Sequence, residues 1–98
     1  MTAYFMACYR ITDPKGYEAY PPAAIPTLLA HGCEVVAADY ASQAIEGDPG
    51  GVTVILKFAS KPAAMAWYNS PEYQAIKHLR IDNTEGTAVL VDQWTPPE

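Results

Sequence analysis

Two stretches of this chain are apolar on both of the faces that a β-strand would present. Strand side chains alternate between the two sides of a sheet. In Val52–Ala59, VTVILKFA, one side would carry Val52, Val54, Leu56 and Phe58, and the other Thr53, Ile55, Lys57 and Ala59. In Ala3–Ile11, AYFMACYRI, the series Ala3, Phe5, Ala7, Tyr9, Ile11 opposes Tyr4, Met6, Cys8, Arg10. A strand covered on one side alternates apolar with polar, so both of these are expected to be covered twice. A chain of 98 residues buries only a modest share of its surface, and the second cover is expected to come from another subunit.

The remaining elements follow from local signals. Asp13-Pro14 opens a helix, Asp13 capping an orphan N–H and Pro14 supplying a preset φ. Tyr17 and Tyr20 then share a helical face; their rings are expected to pack with the hydroxyls left wet, the alternative being that they line a pocket mouth. Pro21 and Pro22 predict a break, with a second piece starting near Ala23 or Pro26 and closing at His31-Gly32. Cys33–Tyr40 reads as a strand, and the turn-rich EGDPGG of Glu46–Gly51 as a loop. Ser60–Arg80 reads as two consecutive helical pieces restarting at Ser70-Pro71. Asn83, Glu85 and Gly86 predict a turn before a last strand at Thr87–Trp94.

The order β-α-β-β-α-β is the split βαβ, or ferredoxin-like, α+β arrangement: a four-stranded antiparallel sheet with both helices on one face. Its first and third strands are central and its second lies beyond the third. Those central strands are the two that are apolar on both faces, so the bare sheet faces are expected to meet in a homodimer. A single domain over residues 1–98 is expected, with its core at about residues 3–92 and residues 93–98 as a tail.

Composition removes several functions. Eleven acidic against six basic residues give a net charge of -5, with no basic face to track phosphates, so neither nucleic acid nor an anionic membrane is an expected partner. The apolar N-terminal run is too short to cross a bilayer and lacks signal-peptide features, which points to the cytoplasm. Cys8 and Cys33 lack metal-ligand or CxxC spacing and read as buried free thiols. No His/Cys/Asp/Glu set has metal spacing and no glycine-rich phosphate loop occurs, so neither a metal nor a cofactor is expected.

Most of the reactive-looking side chains lie in Ser60–Arg80. Ser70 precedes Pro71 and is explained as an N-cap, and Glu72 suits the positive end of the helix that follows. Tyr73, Lys77 and Arg80 fall at i, i+4 and i+7; such a face can hold an anionic or enolic ligand with Arg80 as a forked donor, or it can be a solvated face with Tyr73 tucked under the cations. The candidate ligand-binding residues are Trp67, Tyr68, Tyr73, Arg80 and Tyr17, converging only if the break at Pro71 turns them together. Arg10, Lys57 and Asp92, near strand ends, are read as surface positions, the alternative being an ion-pair cluster at a dimer seam.

A set of short motifs resembles the family called domain of unknown function 1330, within the dimeric α+β barrel superfamily. They are Asp13-Pro14 with Tyr17 and Tyr20, His31-Gly32, Glu46-Gly47-Asp48, Phe58-Ala59-Ser60 and, most specifically, Tyr68-Asn69-Ser70-Pro71-Glu72-Tyr73-Gln74-Ala75 with Arg80 beyond. The resemblance implies a ferredoxin-like fold and a homodimer, and brings no activity. Related monooxygenases work without metal or cofactor and often carry histidine where this chain has Trp67 and Glu72. The leading expectation is a homodimer binding a small, partly apolar molecule between sheet and helices. The alternatives are a cofactor-independent monooxygenase or isomerase, in which Tyr73 or Tyr17 exchanges a proton with an enolic substrate, and a structural dimer without a ligand.

Overall fold

The computed structural model describes residues 1–97. The elements are β1 (Ala3–Ile11), α1 (Pro14–Tyr17), α2 (Tyr20–Ala30), β2 (Glu34–Asp39), β3 (Val52–Phe58), α3 (Lys61–Tyr68), α4 (Pro71–Gln74), α5 (His78–Ile81) and β4 (Thr84–Asp92). The strands form one sheet in the order β2-β3-β1-β4, every neighbouring pair antiparallel. The expected α+β ferredoxin-like fold is what the chain adopts, with β1 and β3 central. The Cα atoms span only 15 Å in the thinnest direction, room for one sheet and one layer of helices.

Local chemistry accounts for the helix starts. Asp13, Ser60 and Ser70 each sit in extended backbone and accept a bond from the N–H three residues on, at Gly16, Ala63 and Tyr73. A proline or lysine-proline pair follows each cap. The first helical region breaks earlier than expected, at Glu18-Ala19 rather than at Pro21-Pro22. Pro21 and Pro22 lie in the first turn of α2, where an N–H would have no partner anyway, so they begin that helix instead of interrupting it. Ser60–Arg80 holds three helical pieces rather than two, because the chain turns again between Gln74 and His78.

The last strand also begins earlier than its composition predicts. Glu85 and Gly86 pair with Arg10 and Tyr9 in the sheet instead of forming a turn. A Cβ at Gly86 would collide with the Cys8 carbonyl oxygen, so the glycine serves a close strand approach. β2 carries a register shift between Val35 and Ala37, leaving Val36 as an extra residue against β3.

The helix-facing side of the sheet carries the core. Trp67, Tyr73 and Phe58 are the largest fully buried side chains, clustered with Leu28, Leu56, Cys33 and Ala64. Phe5 meets Trp67 edge-on at 5.5 Å between ring centroids, and Phe58 meets it at 5.6 Å. α3 packs across β1, β3 and β4, whereas α2 leans chiefly on α4. The sheet beneath α2 is therefore not filled from above. On the other side of the sheet, Ala37, Ile55, Met6 and Val89 stand in register across all four strands, Val89 exposed and the other three partly so. Arg10 and Asp92 are surface residues: Arg10 forks onto Asp48 at 2.6 and 2.7 Å, holding that carboxyl below its usual range, and Asp92 faces Lys61 at 3.7 Å.

Candidate functional site

The gap under α2 is a cavity of about 140 Å³. Phe5, Ala7 and Tyr9 of β1 and Val54 and Leu56 of β3 form its floor, Ala24 and Leu28 of α2 its roof, and Trp67 its inner end. Ile25, Val35 and Tyr40, each about half exposed, stand at the mouth. The walls are apolar except for phenol hydroxyls and one charged group, Arg80.

Two hydrogen-bonded tyrosine sets border this space. In the first, the Tyr17 hydroxyl lies 2.6 Å from that of Tyr9 and 3.1 Å from that of Tyr40. In the second, the Tyr20 and Tyr73 hydroxyls are 2.8 Å apart, and Arg80 Nε donates to the Tyr73 oxygen at 3.4 Å. The expectation that Tyr17 and Tyr20 keep wet hydroxyls is therefore corrected. Their rings do pack, at 5.6 Å, but both hydroxyls are tied to other tyrosines across the fold. Tyr73 is likewise no surface residue under cations, being fully buried. The Lys77 ammonium lies over the Tyr68 ring instead, at 5.0 Å from its centroid.

Electrostatics assign these groups a direction. Burial pushes the Tyr9 and Tyr17 phenols above their ordinary pKa; for Tyr17 the neighbouring Tyr40 and Tyr9 hydroxyls add to it. Tyr20 is raised by burial and then by Tyr73 alongside. These three stay protonated at neutral pH and act as donors, not bases. Burial opposes the Arg80 charge, but the Tyr73 and Tyr20 oxygens beside it more than offset this, and the group stays cationic. No carboxylate among the described residues lies within ion-pair distance of it. The Trp67 indole N–H is satisfied by Thr27 Oγ at 3.0 Å, so Trp67 offers the cavity only its ring.

Of the five residues singled out by sequence, four line one or other of two spaces. Tyr17, Trp67 and Arg80 line the cavity under α2. Tyr68 lines a second, more polar cavity of about 230 Å³ between α5 and β4, which Arg80 and Tyr9 also border. Tyr73 lines neither and acts behind Tyr20 and Arg80. Sequence reasoning passed over Tyr9 and Tyr40, which the alternation of β1 and the end of β2 deliver to the same hydroxyl; nothing local marks that meeting. Cys33 sits in the core with its thiol pushed up to about 11 by burial, and no group of three or more potential metal ligands occurs among the described residues.

With this geometry in place, the chain matches a family model over residues 2–94, that of Domain of unknown function (DUF1330). The chain belongs to that family. No curated protein matches this DUF1330 chain. Among solved structures it is similar to the RPA0582 protein of unknown function from Rhodopseudomonas palustris, at 17% identity and a TM-score of 0.73, over 97% of this chain and 84% of that one. It is also similar to SnoaB, a cofactor-independent oxygenase from Streptomyces nogalater, at 11% identity and a TM-score of 0.69, over 99% and 98% of the two chains. An antibiotic biosynthesis monooxygenase is similar at 16% identity and a TM-score of 0.57, over 97% and 100%. At such identities what is shared is the fold.

Proposed function

We propose that this DUF1330 protein is a homodimer that binds a small, partly apolar molecule in the cavity under α2. The observation that carries the reading is an apolar cavity walled in part by a half-buried arginine that no acidic side chain pairs with among the described residues. Neutral phenol oxygens hold this cation, but no opposite charge stands beside it among the described residues, and an anionic ligand group would supply one. Tyr17, Trp67 and Arg80 are assigned to contact the ligand, Tyr73 to hold Arg80 and Tyr20, and Tyr68 to the adjoining space. The exposed Ala38 at the mouth provides a test that leaves the core alone. Benzene-saturated buffer is expected to raise the melting temperature of the unmodified chain, and the rise is expected to vanish in Ala38→Phe. An equal rise in both would remove the cavity as the binding site.

A second reading, a cofactor-independent oxygenase, draws support from the fold shared with SnoaB. The cavity wall limits it. No Asp, Glu or His lines the space among the described residues, and Tyr17, as a raised phenol, is a poor base. In that reading the substrate arrives already as an enolate or phenolate, and the arginine and phenols stabilise its charge.

A further inference from the structure

We infer that the ligand of this cavity is a small organic monoanion about the size of one six-membered ring, whose acceptor oxygens are held by Arg80 and the Tyr20 hydroxyl. The inference rests on the cavity reading above and adds size, charge and hydrogen-bond polarity to it.

Size follows from volume. A cavity near ~150 Å³ with apolar walls accommodates benzene, and the space under α2 is about 140 Å³. One ring fills it, and a fused polycycle would protrude through the mouth at Ile25, Val35 and Tyr40. Hydrogen-bond polarity follows from proton accounting. Tyr73 is fully buried, so its O–H needs an acceptor. Its two hydroxyl-level neighbours are Arg80, which can only donate, and the Tyr20 oxygen at 2.8 Å. Tyr73 therefore donates to Tyr20, and the Tyr20 proton is left for the cavity that Tyr20 lines. Arg80 Nε is engaged by Tyr73, while the guanidinium keeps further N–H donors at the same wall. Beside these N–H and O–H donors the protein supplies only the neutral Tyr73 and Tyr20 oxygens as acceptors and no carboxylate among the described residues, which favours a ligand end that accepts only, such as a carboxylate or phenolate. Charge follows from Arg80 having no carboxylate partner among the described residues.

Trp67 supplies the readout. The chain has two tryptophans, and Trp94 lies exposed beyond β4, so Trp94→Phe leaves Trp67 emission as a reporter of the cavity. Benzoate, its neutral isostere benzamide, benzene and anthracene-9-carboxylate are titrated at pH 7 into that protein. Benzoate is expected to bind at least tenfold tighter than benzamide and than the tricyclic acid. Arg80→Met is expected to erase the preference for benzoate while benzene binding persists, and Tyr20→Phe to reduce it several-fold. Equal binding of benzoate and benzamide to the unmodified cavity overturns the charge assignment whether or not the variants fold. Tighter binding of the tricyclic acid overturns the size assignment. Benzene binding without a benzoate preference defeats this inference alone, whereas failure of every probe, benzene included, defeats the cavity reading with it.

Discussion

Tyr73 illustrates how one buried hydroxyl organises the site. Its ring lies 4.1 Å from Trp67 between centroids, and its oxygen joins Tyr20 to Arg80. The tyrosines around the cavity also make the fold sensitive to alkali. Tyr9, Tyr17 and Tyr20 have folded pKa values raised above the unfolded phenol value of about 10. Their contribution to stability is fully present below that pH. Above it the unfolded state loses protons that the folded state keeps, so stability falls as pH rises toward the folded values. The urea midpoint should hold level through neutral pH and drop above about pH 10, less steeply in Tyr17→Phe; a level midpoint through that range would contradict the burial of these hydroxyls. Little of this was legible in the chain. Counting 100° per residue put Tyr73, Lys77 and Arg80 on one face; Arg80 does reach the Tyr73 oxygen, but the Lys77 ammonium lies over the Tyr68 ring instead. The Tyr9–Tyr17–Tyr40 meeting joins residues 8 and 23 apart in sequence and depends on how strands and helix stack.

Elements whose ends are set by short-range chemistry were readable, and those set by pairing were not. Asp13, Ser60 and Ser70 cap helices as their sequence context predicts, because a cap is settled within three residues. The start of β4 is settled by β1, to which Glu85 and Gly86 are bonded, and no turn propensity of those residues outweighs a sheet ladder. Ser70 is the cap with most at stake. It is buried, accepts from the Tyr73 N–H at 3.2 Å, and donates to the Trp67 carbonyl at 2.7 Å, so it links the ends of α3 and α4. Ser70→Ala leaves the Tyr73 N–H without its partner inside the core and removes one of the donors on the Trp67 carbonyl, which keeps the backbone bond from residue 70 at 3.0 Å. A loss of about 2 kcal/mol in unfolding free energy is expected from chemical denaturation, larger than for Asp13→Ala, whose cap bond is exposed. Equal losses at the two sites would show that burial adds nothing to the cap.

The sheet as a whole divides the molecule into a side that holds the cavity and an open side on which the proposed dimer would form. On the open side Ala37, Ile55, Met6 and Val89 form one apolar row across four strands, with Val89 53% exposed. Flanking rows are more polar: Cys8 stands between Thr53 and Thr87, and Tyr4 between Lys57 and Val91. An apolar centre with a polar rim is the pattern of an interface. In the proposed dimer two such rows meet, and Met6, on a central strand, lies near the middle of the contact. Met6→Glu would set two carboxylates against each other and against apolar neighbours, which costs several kcal/mol on the order expected for unpaired charge at an interface. In a single chain the same side chain is only partly covered, so the fold tolerates the change. Light scattering at micromolar concentration should give twice the 10.7 kDa chain mass for the unmodified protein and the chain mass for Met6→Glu. A monomer mass for the unmodified protein removes the dimer. Because the cavity lies between the sheet and α2, away from this face, the Met6→Glu monomer should still bind benzoate with an affinity within a few-fold of the dimer's. Loss of binding on dissociation would instead mean that the partner chain shapes the cavity.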